Sequence, residues 1–409
     1  MMSDQSVGVS HGRFAGQIGG AWARRGGESV TDHGVAAIAI QVIFCLALAG
    51  RSSAQSFPPP LRGSTAPLSW SSYVQFRYTN VPQGKDLFGL RRFKLMVGGK
   101  VTSRIQWYAQ ALYKDGNDSP TDGRVYFQEG WLRFGFRKEV QLVVGQFKPP
   151  FGRERFTPDF LILTIDRSLV TDALTPDGPY IDSFYRDRGV QVDGELKRGL
   201  RYAAAVFDGR GANHQFHGIG PMLTGQVVEE LFPDKSIYGR PLRLQIGAAA
   251  ALRWGRDLPF RPCCASEMAA DIEHFRGADQ RWGAEFSGDW GGASVRAEYI
   301  RARLDFEAAR HTNLTASGWY LLGAMYLAPK WQVVAKHERL DPNHHVVTNK
   351  DVRQTTLGLN YYIRENRVKL MAGYVVRQEK IQPVSNNLFQ IQVQYFLHWP
   401  ANPRARAEP

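Results

Sequence analysis

The stretch Gln141-Leu-Val-Val-Gly-Gln-Phe-Lys-Pro-Pro-Phe-Gly-Arg-Glu-Arg-Phe156 changes character halfway along. Up to Phe147 it has the length and apolar content of a strand. Pro149 and Pro150 then remove two backbone donors and fix φ, so a strand ladder stops there and the chain turns. The corner carries Lys148, Arg153 and Arg155 interleaved with Phe147, Phe151 and Phe156. A strand that runs into a stiff, cationic, aromatic corner is the feature the rest of the chain has to explain.

Outward from this corner the recurring pattern is alternation at period two, the signature of half-buried strands. Val74, Phe76 and Tyr78 oppose Gln75 and Arg77; Phe93, Leu95 and Val97 oppose Arg92 and Lys94. Near the C-terminus Phe389, Ile391, Val393 and Tyr395 oppose Gln390, Gln392 and Gln394. Sixteen such segments are expected, over 70–79, 90–98, 103–114, 126–136, 140–147, 188–196, 200–207 and 236–241, then 243–254, 280–288, 292–304, 317–327, 330–339, 352–363, 366–378 and 387–397. The connections alternate short and long. Short ones fall at 98–100, 137–139, 196–199, 289–291, 328–329 and 364–365, and the long ones include 148–187 and 208–235. An even strand count with that rhythm is the pattern of an outer-membrane barrel, with short periplasmic turns and longer external loops. A β-sandwich rarely has this many strands with that loop order, and no fixed-period repeat indicates a solenoid. The polar faces carry Arg77, Arg92, Lys94, Arg133, Arg296, Lys336 and Lys369, which suits a water-filled lumen better than a soluble core. Aromatic strand ends such as Tyr361-Tyr362 and Tyr395-Phe396 suit interface girdles.

The chain has 409 residues, with 51 Lys+Arg against 38 Asp+Glu, a net of +13. Such a surplus suits nucleic acid, an anionic membrane surface or a path for small anions. Residues 35–49, VAAIAIQVIFCLALA, form an apolar run too short to span a bilayer as a helix. Arg24 and Arg25 precede it and Ser52-Ser53-Ala54 follows, so residues 1–54 read as a secretory signal. Its removal changes the net charge by one. A chain exported from the cytoplasm does not meet DNA, which sets nucleic acid aside as a partner. Cys263 and Cys264, the cysteines left after the signal, are adjacent and cannot staple a fold. No metal site or cofactor is expected, because no Cys/His cluster has ligand spacing. Residues 55–69 read as a linker, 70–397 as the barrel and 398–409 as a tail.

Three blocks carry a family resemblance: Val144-Gly-Gln-Phe-Lys-Pro-Pro-Phe-Gly-Arg-Glu154, Tyr185-Arg-Asp-Arg-Gly-Val-Gln-Val192 and Thr356-Leu-Gly-Leu-Asn-Tyr-Tyr362. With them the chain resembles the outer-membrane porins related to the phosphate-selective porins O and P, over about residues 70–397. The resemblance implies an all-β, 16-stranded antiparallel transmembrane β-barrel in the bacterial outer membrane, embedded in the lipid bilayer as a homotrimer. It also implies that the third external loop folds inward and narrows the pore. Lys148, Arg153 and Arg155 would then stand where an anion passes, with Arg186 and Arg188 facing the same space or the loop's root. In a narrow pore such cations offer charge-assisted hydrogen bonds to an anion losing its water. The competing reading pairs them with Glu154, Asp159, Asp166, Asp182 and Asp187.

The function expected is a passive aqueous channel for small hydrophilic solutes with a preference for small anions, phosphate or polyphosphate among them. A non-selective general porin is the nearest alternative. A barrel enzyme would need a nucleophile and base, yet His214, His217, His311, His344 and His345 lie in loops without a recognisable Ser or acid partner. An adhesive barrel would need a large external domain, and no loop is long enough to hold one.

Overall fold

The computed structural model describes residues 68–398 except 83, 118–121, 177–184, 215–219, 260–273, 308–312, 348–350, 382–383 and 385. The expected signal, most of the linker, the tail beyond residue 398 and Cys263–Cys264 lie outside the described residues. The strands are β1 (Ser69–Asn80), β2 (Leu87–Lys100), β3 (Ile105–Asp115), β4 (Arg124–Arg137), β5 (Val140–Phe147) and β6 (Asp187–Lys197). Then come β7 (Leu200–Phe207), β8 (Met222–Leu231), β9 (Ser236–Ile237), β10 (Arg240–Pro259), β11 (His274–Trp290) and β12 (Ala293–Phe306). The last are β13 (Leu314–Ala328), β14 (Trp331–Asp341), β15 (Val352–Arg364), β16 (Val368–Glu379) and β17 (Leu388–His398). Each long strand pairs antiparallel with its sequence neighbour, and β1 pairs with β17 as well as β2, which closes the sheet. The two-residue β9 pairs only with the start of β10, so sixteen strands make the barrel. Closure satisfies the backbone of every barrel strand without a free edge, the condition for crossing a bilayer with strands.

The two faces settle which way the barrel is turned. Along β17, Gln390, Gln392 and Gln394 are buried, while Phe389, Ile391, Val393 and Tyr395 are 40–49% exposed. Across the closing seam the polar positions meet: Gln75 lies opposite Gln394, and its Nε2 donates to Gln394 Oε1 at 2.7 Å. Polar side chains therefore line the inside, and apolar ones face outward to lipid. Trp331 packs against Tyr361 at 4.4 Å near the short-turn end, and Trp282 meets Tyr299 at 5.1 Å midway along β11 and β12, so aromatic rings also stand on the outward face.

Two expectations need correction. The eighth long strand is Met222–Leu231, not residues 236–241, which hold the two-residue β9, a tight turn and the first two residues of β10. In Met222–Leu231 both faces mix apolar and polar residues, with Met222, Thr224, Gln226, Val228 and Glu230 turned one way. The strand forms because β7 and β10 both supply ladder partners, not because of its own contrast. The first short turn also lies beyond Gly98-Gly99-Lys100: β2 runs through Lys100 and pairs it with Gln106. The glycines sit within the ladder, opposite Tyr108 and Trp107, where small residues leave room for large ones.

Candidate functional site

Residues 148–186 connect β5 to β6 and include two short helices, α1 (Arg153–Phe156) and α2 (Leu169–Leu174). The start is fixed by packing: Phe147 and Phe151 are fully buried, with Phe147 against Phe207 at 5.1 Å. Gly152 follows with φ 76, a conformation that favours glycine, and a Cβ there would meet Glu298 Oε2 at 2.7 Å. That close approach lets Glu298 accept from the backbone N–H of Arg153 at 3.1 Å and of Glu154 at 2.6 Å. Ser168 caps α2, accepting from Thr171 N at 2.9 Å. Glu338 accepts from Leu169 N at 2.6 Å.

The wall's cations and amides hold the same segment by its carbonyls. Arg77 donates to Ile165 O at 3.1 Å, Asn360 to Leu163 O at 2.8 Å, and Lys336 to Asp166 O at 3.3 Å. Lys369 donates to Phe160 O at 3.2 Å and Ile162 O at 3.3 Å. Arg281 donates to Leu174 O and Thr175 O, and Arg253 to Pro176 O. Hydrogen bonds to charged groups contribute about 1.5–3 kcal/mol each, so this set offsets the entropy of ordering a long loop.

Carboxylates then answer most of the cations expected to line an anion path. Asp159 pairs with Arg92 and Arg167, each at 2.8 Å, and with Lys94. Burial alone would raise the Asp159 pKa, but Arg92, Lys94 and Arg167 outweigh it and hold the carboxyl well below its usual range. Asp166 is likewise held low against burial, by Arg77 at 2.8 Å and Arg91 at 3.7 Å. Arg133 pairs with Asp193 at 2.9 Å, Arg186 with Glu129 at 2.8 Å, Arg296 with Asp289 at 2.6 Å and Lys336 with Glu338 at 3.2 Å. Arg155 pairs with Asp172 at 3.0 Å and lies over the Tyr185 ring at 3.6 Å.

Three of the expected cations that face inward have no carboxylate partner among the described residues. Lys369 is held by the two carbonyls named above. Lys148 donates to Arg155 O at 2.9 Å and sits 5.9 Å from the Phe156 ring. Arg153 donates to Gln245 Oε1. Burial and the Arg186 charge push the Lys148 pKa well down, and burial and Arg296 lower that of Arg153. Each thus has a cation nearby, Arg186 for Lys148 and Arg296 for Arg153, set against acids that act on it without an ion pair: Glu129 and Asp159 on Lys148, Glu285 and Asp289 on Arg153. Arg188 does not join them. It is exposed on the face that carries Val190 and Val192, opposite Gln146. Period-two alternation along β6 turns it outward. The residues that sequence reasoning missed are the acids and amides that hold the loop, Glu298, Glu338 and Asn360.

A closed barrel with a polar inner face and an apolar outer face defines an outer-membrane channel. Comparison with known proteins gives the particular group. The sequence model described as phosphate-selective porin O and P matches residues 69–249 and 266–397, and the chain belongs to that family. It is 21% identical to Porin O of Pseudomonas aeruginosa over 364 residues, covering 76% of this chain and 80% of that one. Among solved structures it is similar to an anion-selective porin from Comamonas acidovorans, with TM-score 0.57 and 11% identity over 81% of this chain and 99% of that one. The trimer form of the outer-membrane protein OmpT of Vibrio cholerae gives TM-score 0.56 at 13% identity, over 80% of this chain and 98% of that one. The chain is a porin of the bacterial outer membrane.

Proposed function

We propose that the porin passes small anions, with phosphate and polyphosphate as candidate solutes, and that residues 148–186 lie in the lumen and narrow it. The observation that carries this reading is the contrast between matched and unmatched cations. Arg77, Arg92, Lys94, Arg133, Arg155, Arg186, Arg296 and Lys336 are paired with carboxylates, so their charges are largely spent on holding the loop and wall together. Lys148 and Arg153 lie at the start of the narrowing segment and make their hydrogen bonds to a carbonyl and an amide oxygen, not to a carboxylate. An anion entering there gains charge-assisted hydrogen bonds that no protein carboxylate already occupies. No catalytic step is assigned to any residue. Assembly as a homotrimer is part of the proposal, supported by the family and by the trimeric relative. The test is planar-bilayer recording in chloride with added inorganic phosphate. Discrete open steps whose chloride current is blocked by phosphate support the reading. A block that survives K148Q/R153Q unchanged removes the two residues from the path.

A further inference from the structure

The outward face carries a second concentration of charge that the lumen does not use. At the long-loop end of β10, β11, β12, β14 and β15, Arg256, Arg276, Arg301, Arg339 and Arg353 are all exposed. The register sets Arg256 directly opposite Arg276, and Arg339 directly opposite Arg353. Among the described residues none of the five has an ion pair, whereas the neighbouring Arg303 is held by Asp305 at 2.9 Å. Like charges directly opposite on adjacent strands repel, so two such pairs on one face are unfavourable unless an anion lies between them. The same face continues into apolar surface: Trp282 lies opposite Arg301 and Trp319 opposite Arg339, with Leu321 and Leu357 further along and more than half of Leu357 exposed.

We propose that each of the two opposed arginine pairs on this outward face, Arg256–Arg276 and Arg339–Arg353, docks a phosphate of the headgroup of a separate lipid of the lipid A class in the leaflet at the long-loop end. The guanidinium fork matches phosphate bidentately, and the two facing forks of one pair converge on a single phosphate. Tryptophans beside the arginines and aliphatic residues beyond them match a headgroup above and acyl chains below. The arginines lie on the outward side of the wall, continuous with exposed apolar surface at Trp282, Trp319, Leu321 and Leu357, which favours a lipid over a free anion. Clusters of basic side chains at a membrane surface attract anionic headgroups additively.

The test uses the purified full barrel in detergent, titrated with lipid A and with lipid A stripped of its phosphates, with bound lipid read by native mass spectrometry. Saturable binding of the phosphorylated form is expected, weakened at least about tenfold in R256Q/R276Q/R339Q/R353Q. Heat-shifted gel migration and unchanged conductance report that this variant is folded, and the pairwise variants R256Q/R276Q and R339Q/R353Q, each expected to bind more weakly, replace it if it is not. R188Q removes a lone outward arginine on β6 and is expected to keep wild-type affinity. Equal binding of the two lipid forms, an equal loss in R188Q, or displacement of lipid A by inorganic phosphate would overturn the assignment. So would arginine variants that keep lipid A affinity but dissociate an oligomer, because the face would then belong to a second copy.

Discussion

Replacing Asp159 by Asn keeps the side chain's size and removes the charge that Arg92, Lys94 and Arg167 share. The carboxylate lies 2.8 Å from both Arg92 and Arg167, and its side chain is 14% exposed. Stripping one partner from a buried ion pair costs about 3–5 kcal/mol, because the remaining charge is left desolvated. Arg167 keeps Thr157 O at 2.7 Å and Glu154 O as acceptors, which places the loss at the lower end, about 3 kcal/mol. At 1.4 kcal/mol per decade that is roughly a hundredfold rise in the opening equilibrium of the segment around residues 157–168. Amide hydrogen exchange on the detergent-solubilised barrel reads this directly, as lost protection in that segment with the strands unchanged. Protection within about threefold of wild type, a shift worth well under 1 kcal/mol, would refute the claim that Asp159 anchors the loop. The pH dependence follows from the depressed Asp159 pKa. A carboxyl lowered in the folded state gives its full stabilisation above the unfolded value, about 3.9, and loses it only as pH falls through the folded pKa. Wild-type exchange in the segment should therefore be as slow at pH 5 as at pH 7, once corrected for intrinsic exchange.

Raising pH should weaken anion preference below the ordinary lysine range, because Lys148 has a lowered pKa and loses its charge early; K148R should abolish that early fall in reversal-potential measurements. Gly152→Ala forces a left-handed φ and a 2.7 Å approach to Glu298, so it should cost about 1–3 kcal/mol of loop anchoring and give noisier single-channel currents. Arg155→Gln removes a cation matched by Asp172, so loop protection should fall in hydrogen exchange while ion preference moves less than in K148Q. Detergent-extracted protein should have the mass of a trimer by light scattering corrected for detergent; monomer alone would remove that part of the proposal.

The barrel was legible where one face is polar and the other apolar. β1 and β17 announce themselves through Gln75, Arg77, Gln392 and Gln394 against Phe76, Ile391 and Val393. β8 was not, because Glu229 and Glu230 put a charge on each face and left no contrast to detect. The position of the loop could be read from Pro149 and Pro150, whose effect on a ladder is local. Its anchoring could not, since Glu298 reaches Arg153 N from 145 residues away and Glu338 reaches Leu169 N from 169 residues away. Alternation marks Glu298 as an inward acid on β12, opposed by Val295, Ala297 and Tyr299, but does not reveal its partner. For the same reason the charges could be counted but not matched. Arg77, Arg92 and Lys94 read as free cations until the fold brings Asp159 and Asp166 within ion-pair distance of them.

The central claim is that Lys148 and Arg153, and not the paired wall cations, give the pore its preference for anions. Reversal potentials of single channels in a potassium chloride gradient test it most directly, at low salt where fixed charges are least screened. The wild-type barrel should show the sign of anion permeation, and K148Q/R153Q should move it towards zero while R296Q leaves it nearly unchanged. A wild-type potential of cationic sign, or a double variant indistinguishable from wild type, would contradict the account.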